Sequence, residues 1–263
     1  MDFLQISGKT FLVTGVANKK SVAYFVARGL VDNGAEVIFS VQNEDNQSKA
    51  QKLFPGSTVL ICDVENPESI NRLGEYFQTS NLKLSGFVHS IAFANYSEGL
   101  KPFHETKVQD YLQATNISCF SLVAIANALK NSFTEDASIV TISISSTRAT
   151  AYGYMGPIKA ALDATVAFLA KSLSEISRIR VNAVCAGPLK TSASAGIPGY
   201  VNNYLFAEQL TLRKAALKTE EVANTAIFLL SPVSCGINAT GIVVDAGMSC
   251  NYFDQDIVTR SMR

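Results

Sequence analysis

The sequence has no excess of either charge, because 22 Lys and Arg residues are matched by 22 Asp and Glu over 263 residues. A neutral chain gives no electrostatic basis for gripping a nucleic acid or an anionic membrane surface, so a small-molecule ligand is expected. Histidine is scarce: His89 and His104 are the only two, and a histidine-centred mechanism is poorly supplied. The five cysteines, Cys62, Cys119, Cys185, Cys235 and Cys250, stand singly inside apolar runs and form no C-x-x-C pair. That argues against a disulfide framework and a metal site, and for a reducing compartment. No basic segment leading into an apolar core opens the chain, and no apolar run of about 18 residues is apparent. A full-length cytoplasmic protein with no membrane or nucleic-acid partner is the expectation. Internal repeats and low-complexity tracts are missing as well.

What is present suits one globular α/β domain over residues 1–263, with 48% hydrophobic and 17% charged residues to build and solubilise a large core. Near-continuous apolar runs at 10–14, 36–40, 58–62, 86–90, 138–143, 180–185 and 241–245 read as strands covered on both faces. Helical patterns alternate with them at 21–33, 45–53, 67–79, 107–131, 153–176 and 219–230. In the first of these, Ser21 is a suitable N-cap and Gly34 a suitable stop. Regular alternation of this kind predicts a Rossmann-type, doubly wound parallel sheet of about seven strands with helices on both faces.

Ligands of such sheets bind beyond the carboxyl ends of the strands, so the loops there are the informative ones. After the first strand, Gly15-Val-Ala-Asn-Lys-Lys-Ser21-Val-Ala23 enters a helix whose N-terminal amides suit a pyrophosphate, although only the first glycine of G-x-G-x-x-G is present. After the second, Gln42 can bond a ribose diol, and no Arg or Lys occurs from Glu36 to Ser48, which favours NADH. Lys19 and Lys20 leave NADPH open. After the third, Asp63 and Val64 suit an adenine, and Asp63 equally suits a helix cap. After the fourth, His89-Ser90-Ile91-Ala-Phe-Ala94 is small and apolar, fit to lie under a ribose and nicotinamide, with His89 read as a core histidine. Asn116 lies beside apolar Ile117, Phe120 and Leu122, either facing solvent or organising a buried group.

After the fifth strand come Tyr152 and Lys159, seven residues apart at the mouth of the predicted helix and so expected on one helical face. A phenol becomes a useful proton donor or oxyanion stabiliser beside a cation.

Together, Gly15-x5-Ser21-x-Ala23, Gln42-Asn43, Cys62-Asp63-Val64, His89 to Ala94, Tyr152-x6-Lys159 and Arg180-Val-Asn-Ala-Val-Cys-Ala-Gly-Pro188-Leu-Lys-Thr191 resemble the short-chain dehydrogenase/reductase superfamily, specifically its enoyl-acyl-carrier-protein reductase branch. The six-residue gap between Tyr152 and Lys159 is the most specific element, since most of the superfamily spaces the pair by three. The resemblance implies NADH-dependent reduction of a trans-2-enoyl thioester on acyl carrier protein, in fatty-acid or related polyketide synthesis, by a cytoplasmic homotetramer. It assigns the oxyanion donor to Tyr152 and the nicotinamide ribose to Lys159. It places Gly15, Ser21, Val22, Gln42, Asp63, Val64, Ser90, Ile91, Leu189 and Thr191 along the cofactor, and Ala94 and Tyr152 at the substrate. Where the branch commonly carries a second Tyr, about ten residues before the first, this chain reads Ile142-Ser-Ile-Ser-Ser-Thr-Arg148.

The segment from about 191 to 211, rich in Ala and Gly and then amphipathic from Tyr200 to Leu210, reads as a substrate lid that orders on binding. Two alternatives remain at this level. One is a carbonyl reductase in which Ser143 or Ser145 assists Tyr152. The other is a dinucleotide-sensing regulator without chemistry, for which a retained Tyr152 and Lys159 would have no use.

Overall fold

A computed structural model describes residues 3–262, apart from the side chains of residues 192 and 193. Seven strands, β1 (Thr10–Thr14), β2 (Glu36–Val41), β3 (Val59–Ile61), β4 (Leu84–His89), β5 (Phe133–Ile144), β6 (Arg180–Ala186) and β7 (Gly241–Val244), form one sheet. The order is β3-β2-β1-β4-β5-β6-β7 and every pairing is parallel. Side chains alternate across it. Leu12, Phe87 and Ile139 point to one face, while Phe11, Val88 and Val140 point to the other. Parallel strands need crossovers, and these supply the cover: α3 (Pro67–Thr79), α5 (Ser121–Leu129) and α6 (Met155–Leu173) pack the first face. The second is packed by α1 (Val22–Asp32) and α9 (Thr219–Leu230), with α2 (Glu44–Leu53) contributing Ala50.

The helix starts follow from their caps. Ser21 Oγ accepts from Tyr24 N, Asn43 caps α2, and Asn66 with Pro67 opens α3. Asp63 is not a helix cap. Its carboxylate accepts from Glu65 N, an Asx turn that leaves capping to Asn66.

Local structure adds detail that the pattern alone does not carry. The pattern over 107–131 is not one α-helix: α4 (Val108–Thr115) passes through a π-helical segment, Asn116–Phe120, into α5. The whole run Val108–Leu129, where no apolar run of about 18 residues was apparent, is apolar and long enough to cross a membrane by length and composition, and half of it is buried in the protein. Cys235 and Cys250 are exposed, unlike the other three cysteines. The 191–211 segment is folded as two helices, α7 (Ser192–Ala195) and α8 (Tyr200–Leu210). Thr191 and Ser194 form a capping box there. α8 is not amphipathic in effect, because Ala207 is its single buried residue while Val201, Leu205 and Phe206 lie more than 45% exposed.

Candidate active site

Strand order reverses between β1 and β4, and a cavity of about 700 Å³ opens there at the carboxyl ends of the strands. All the residues expected of the site reach its wall. Gly15 and Ser21 come from the β1–α1 turn and Val22 from the start of α1, Gln42 follows β2, and Asp63 and Val64 follow β3. Ser90, Ile91 and Ala94 follow β4, Tyr152 and Lys159 follow β5, and Leu189 and Thr191 follow β6.

Local chemistry explains the convergence. Gly15 has φ of +82°, and a Cβ placed on it would sit 1.9 Å from Ser90 O, so only bare backbone lets the β1 and β4 loops meet. Thr14 Oγ1 ties the same two strands, donating to Val88 O at 2.9 Å and accepting from Ser90 N at 3.3 Å. Phe93 is pinned from the π segment, because Ser118 Oγ accepts from Phe93 N at 2.9 Å and lies 3.0 Å from its carbonyl. π-helical turns often accompany functional sites for this reason: they re-aim side chains without ending the helix. His89 is fully buried beneath that loop, with Nδ1 2.9 Å from Thr141 Oγ1 and Nε2 2.8 Å from Ser121 Oγ. Ser121 Oγ also donates to Ile117 O at 2.6 Å and Thr141 Oγ1 to His89 O at 3.3 Å, so both ring nitrogens are held between hydroxyls tied to backbone. Burial, with the Lys159 charge second, pushes this imidazole down to about 3. It is a neutral structural strut.

Tyr152 and Lys159 do not share a helix. Tyr152 ends a 3₁₀ turn, Thr150–Tyr152, and Gly153 then adopts φ of +62°, so α6 begins only at Met155. The turn aims the phenol into the cavity, whereas Lys159 reaches it from the helix. Lys159 is 4% exposed, and its ammonium donates to Ile142 O at 2.8 Å, near the end of β5. Burial draws it down to about 8, partly opposed by the Asp163 carboxylate. The Tyr152 phenol is pushed up to about 12, again by burial first and by neighbouring Tyr200 second. It is therefore a neutral O–H donor throughout the physiological range.

Sequence reasoning missed two further phenols on the wall, Tyr96 and Tyr200. Tyr200 Oη accepts from Leu189 N at 2.9 Å, which ties the start of α8 to the loop after β6. Tyr96 stacks against Tyr154 with ring centroids 5.4 Å apart, and its hydroxyl points at Tyr152 O. Tyr96 lies in a loop and Tyr200 opens a helix, so neither carries a periodic signal that points to the site, and only the fold reveals them. Of the two serines suspected of assisting Tyr152, Ser143 lines the cavity with it, whereas Ser145 is not among the lining residues.

The Tyr152 phenol and the buried Lys159 ammonium at the switch point of a 3-2-1-4-5-6-7 sheet are the arrangement of the short-chain dehydrogenase/reductases. The family model described as Enoyl-(Acyl carrier protein) reductase matches residues 15–249. The chain belongs to that family. It is 38% identical to the NADH-dependent enoyl-[acyl-carrier-protein] reductase FabI of Bacillus cereus over 256 residues, covering 94% of this chain and 98% of the relative. The NADPH-dependent enoyl-[acyl-carrier-protein] reductase FabI of Staphylococcus aureus is 33% identical over 93% of this chain and 98% of its own. The fold is also similar to the crystal structure of the Bacillus cereus enoyl-acyl carrier protein reductase with NADP+ and indole naphthyridinone. There the TM-score is 0.86 at 36% identity, covering 92% of this chain and 96% of the other.

Proposed function

We propose that the chain is an NADH-dependent enoyl-acyl-carrier-protein reductase, saturating the trans-2 double bond of an enoyl thioester in fatty-acid or related synthesis. The observation that carries this is the placement of Tyr152 and Lys159 on one cavity wall with the expected cofactor loops, in a member of this family. The residues fit a dinucleotide. A side-chain-free Gly15 lies at the switch point, the N-terminus of α1 faces the cavity through Ser21 and Val22, and the cavity is elongated from Gln42 and Asp63 to Lys159. Lys159 is the single cation among its described lining residues, and Asp63 and Glu65 stand at the far end, an arrangement hostile to a 2′-phosphate. NADH is therefore the reductant of choice, with NADPH the weaker alternative.

The bound reductant supplies a hydride to the β-carbon of the enoyl thioester. Negative charge then develops on the thioester oxygen, and Tyr152 donates a hydrogen bond to it from a phenol that burial keeps protonated. The proton gained at the α-carbon balances the hydride, giving the saturated thioester. Lys159, fixed by Ile142 O, holds the ribose hydroxyls and keeps the local potential positive. Leu189 and Thr191 hold the carboxamide and pyrophosphate side, and Ala94 meets the acyl group.

The chain acts as one domain, with 191–211 as the lid over the cavity. It is a cytoplasmic homotetramer, for which Val108, Leu112, Phe120 and Phe168, each more than half exposed on neighbouring helices, provide apolar contact area. A ketone reductase is disfavoured by the family match and by the six-residue gap between Tyr152 and Lys159. NADH oxidation with crotonyl thioester against a 3-ketoacyl thioester tests the proposal. Turnover of the enoyl substrate is expected, and turnover of the ketone alone would reject it.

A further inference from the structure

The helix that carries Lys159 opens on an unusual residue. Tyr154 holds the N-cap position of α6, yet its side chain caps no backbone amide, so the helix forgoes the Ser, Thr, Asp or Asn that ordinarily stands there. Its ring packs into the core at 8% exposure, and it is not among the residues that line the large cavity. The hydroxyl leaves the helix altogether and donates to Asn95 O at 3.0 Å, in the loop after β4.

Contacts from that loop close around the turn bearing Tyr152. The Tyr96 ring lies against the Tyr154 ring at 5.4 Å between centroids, and the Tyr96 hydroxyl stands 3.5 Å from Tyr152 O. α4 supports both sides: Asn95 Nδ2 donates to Asp110 Oδ1 at 3.0 Å, and Tyr111 brings a third ring to 6.4 Å from Tyr154. The φ of +62° at Gly153 makes this possible, because it sends Tyr152 to the cavity wall and Tyr154 to the loop. No hydrogen bond holds the Tyr152 hydroxyl among the described residues, so its backbone and the packing of its ring set where it points. A phenol aimed in that way is only as fixed as its neighbours.

We propose, on the reading of Tyr152 as the oxyanion donor, that Tyr154 is a positioning residue that locks the turn carrying Tyr152 to the loop after β4. That loop carries Ala94 on the cavity wall, so the phenol and the acyl side of the site keep one relative geometry. Misplacing a reacting group by about 1 Å costs on the order of 10²-fold in rate, and losing one anchor among several costs less.

Tyr154→Phe keeps the ring and removes only the bond to Asn95 O. It should lower kcat on a crotonyl thioester about tenfold, with KM for NADH unchanged. In a Tyr152→Phe background the same change should cost less than about twofold, because no phenol remains to be positioned. Asp110→Ala, which frees the Asn95 side chain from α4, should act in the same direction by less and lose its effect in that background. In the cofactor-free protein, Tyr154→Phe should speed amide hydrogen exchange about fivefold in both 95–99 and 149–153 and leave β6 unchanged. An unchanged kcat, an equal loss in the two backgrounds, or faster exchange on one side alone would overturn the proposal. If Tyr154→Phe fails to fold, Asp110→Ala decides by the same comparisons. A parent enzyme inactive on enoyl thioesters would instead reject the function, and the exchange measurement would then decide the coupling alone.

Discussion

Replacing Lys159 with Met should abolish turnover and make the protein more stable. The ammonium is almost fully buried, and burial lowers it from 10.5 to about 8. That interval corresponds to roughly 3 kcal/mol against folding at pH 7. The sign follows from proton counts. Below about 8 both folded and unfolded chains carry the charge and the burial cost is complete; between about 8 and 10.5 the unfolded chain holds more protons, so stability rises with pH. Met keeps an unbranched side chain of similar length and removes the charge. It also leaves the Ile142 carbonyl without its donor, which costs about 1–2 kcal/mol. The net gain is about 1–2 kcal/mol, or roughly 3–6 °C in Tm for a chain of this size. Thermal melts at pH 7 and pH 10, with and without the substitution, measure it. The gain should be largest at pH 7 and should shrink at pH 10. A variant that melts below the parent at pH 7, or a gain independent of pH, would refute the reasoning.

Other outcomes follow from the same geometry. Tyr152→Phe should lower kcat on an enoyl thioester by about 10²–10³-fold, the range for losing one oxyanion donor, with NADH affinity by fluorescence titration unchanged. Gly15→Ala forces a Cβ to within 1.9 Å of Ser90 O at a φ of +82°, and should cost more than about 3 kcal/mol in denaturant unfolding and lose dinucleotide binding. His89, held near 3 against an ordinary 6.5, contributes stability that is complete above pH 6.5 and lost as pH falls towards 3. His89→Gln should flatten the acid side of a Tm-against-pH curve, seen by calorimetry. Tyr200→Phe removes the acceptor of Leu189 N–H and should speed amide hydrogen exchange across α8 while leaving that of β6 unchanged.

Much of this was legible in the residues because the fold is built from strong periodicities. Strands buried on both faces read as unbroken apolar runs, and the Ser21 cap and Gly34 stop bracket α1 closely. The cavity wall was legible because a parallel sheet dictates that loops after its strands converge. What escaped was set by backbone conformation and distance in sequence. Gly153 turns Tyr152 off the helix that its spacing from Lys159 suggested. The π segment carries the same residue pattern as an α-helix and differs only by one residue per turn. Ser143 and Ser145 both looked available to the phenol, but only Ser143 reaches the cavity wall. The exposed apolar residues of α8 read as amphipathic in one dimension, yet only Ala207 meets the body of the protein.

Transfer of the hydride to carbon rather than to a carbonyl is the central claim, and isotope placement tests it most directly. Turnover of a crotonyl thioester with NADH deuterated at the transferring position, followed by mass spectrometry and NMR of the product, should give a saturated thioester. Its deuterium should lie on the β-carbon and a solvent proton on the α-carbon. Deuterium found only on a hydroxyl-bearing carbon, in the product of a 3-ketoacyl thioester with the crotonyl thioester untouched, would contradict the account.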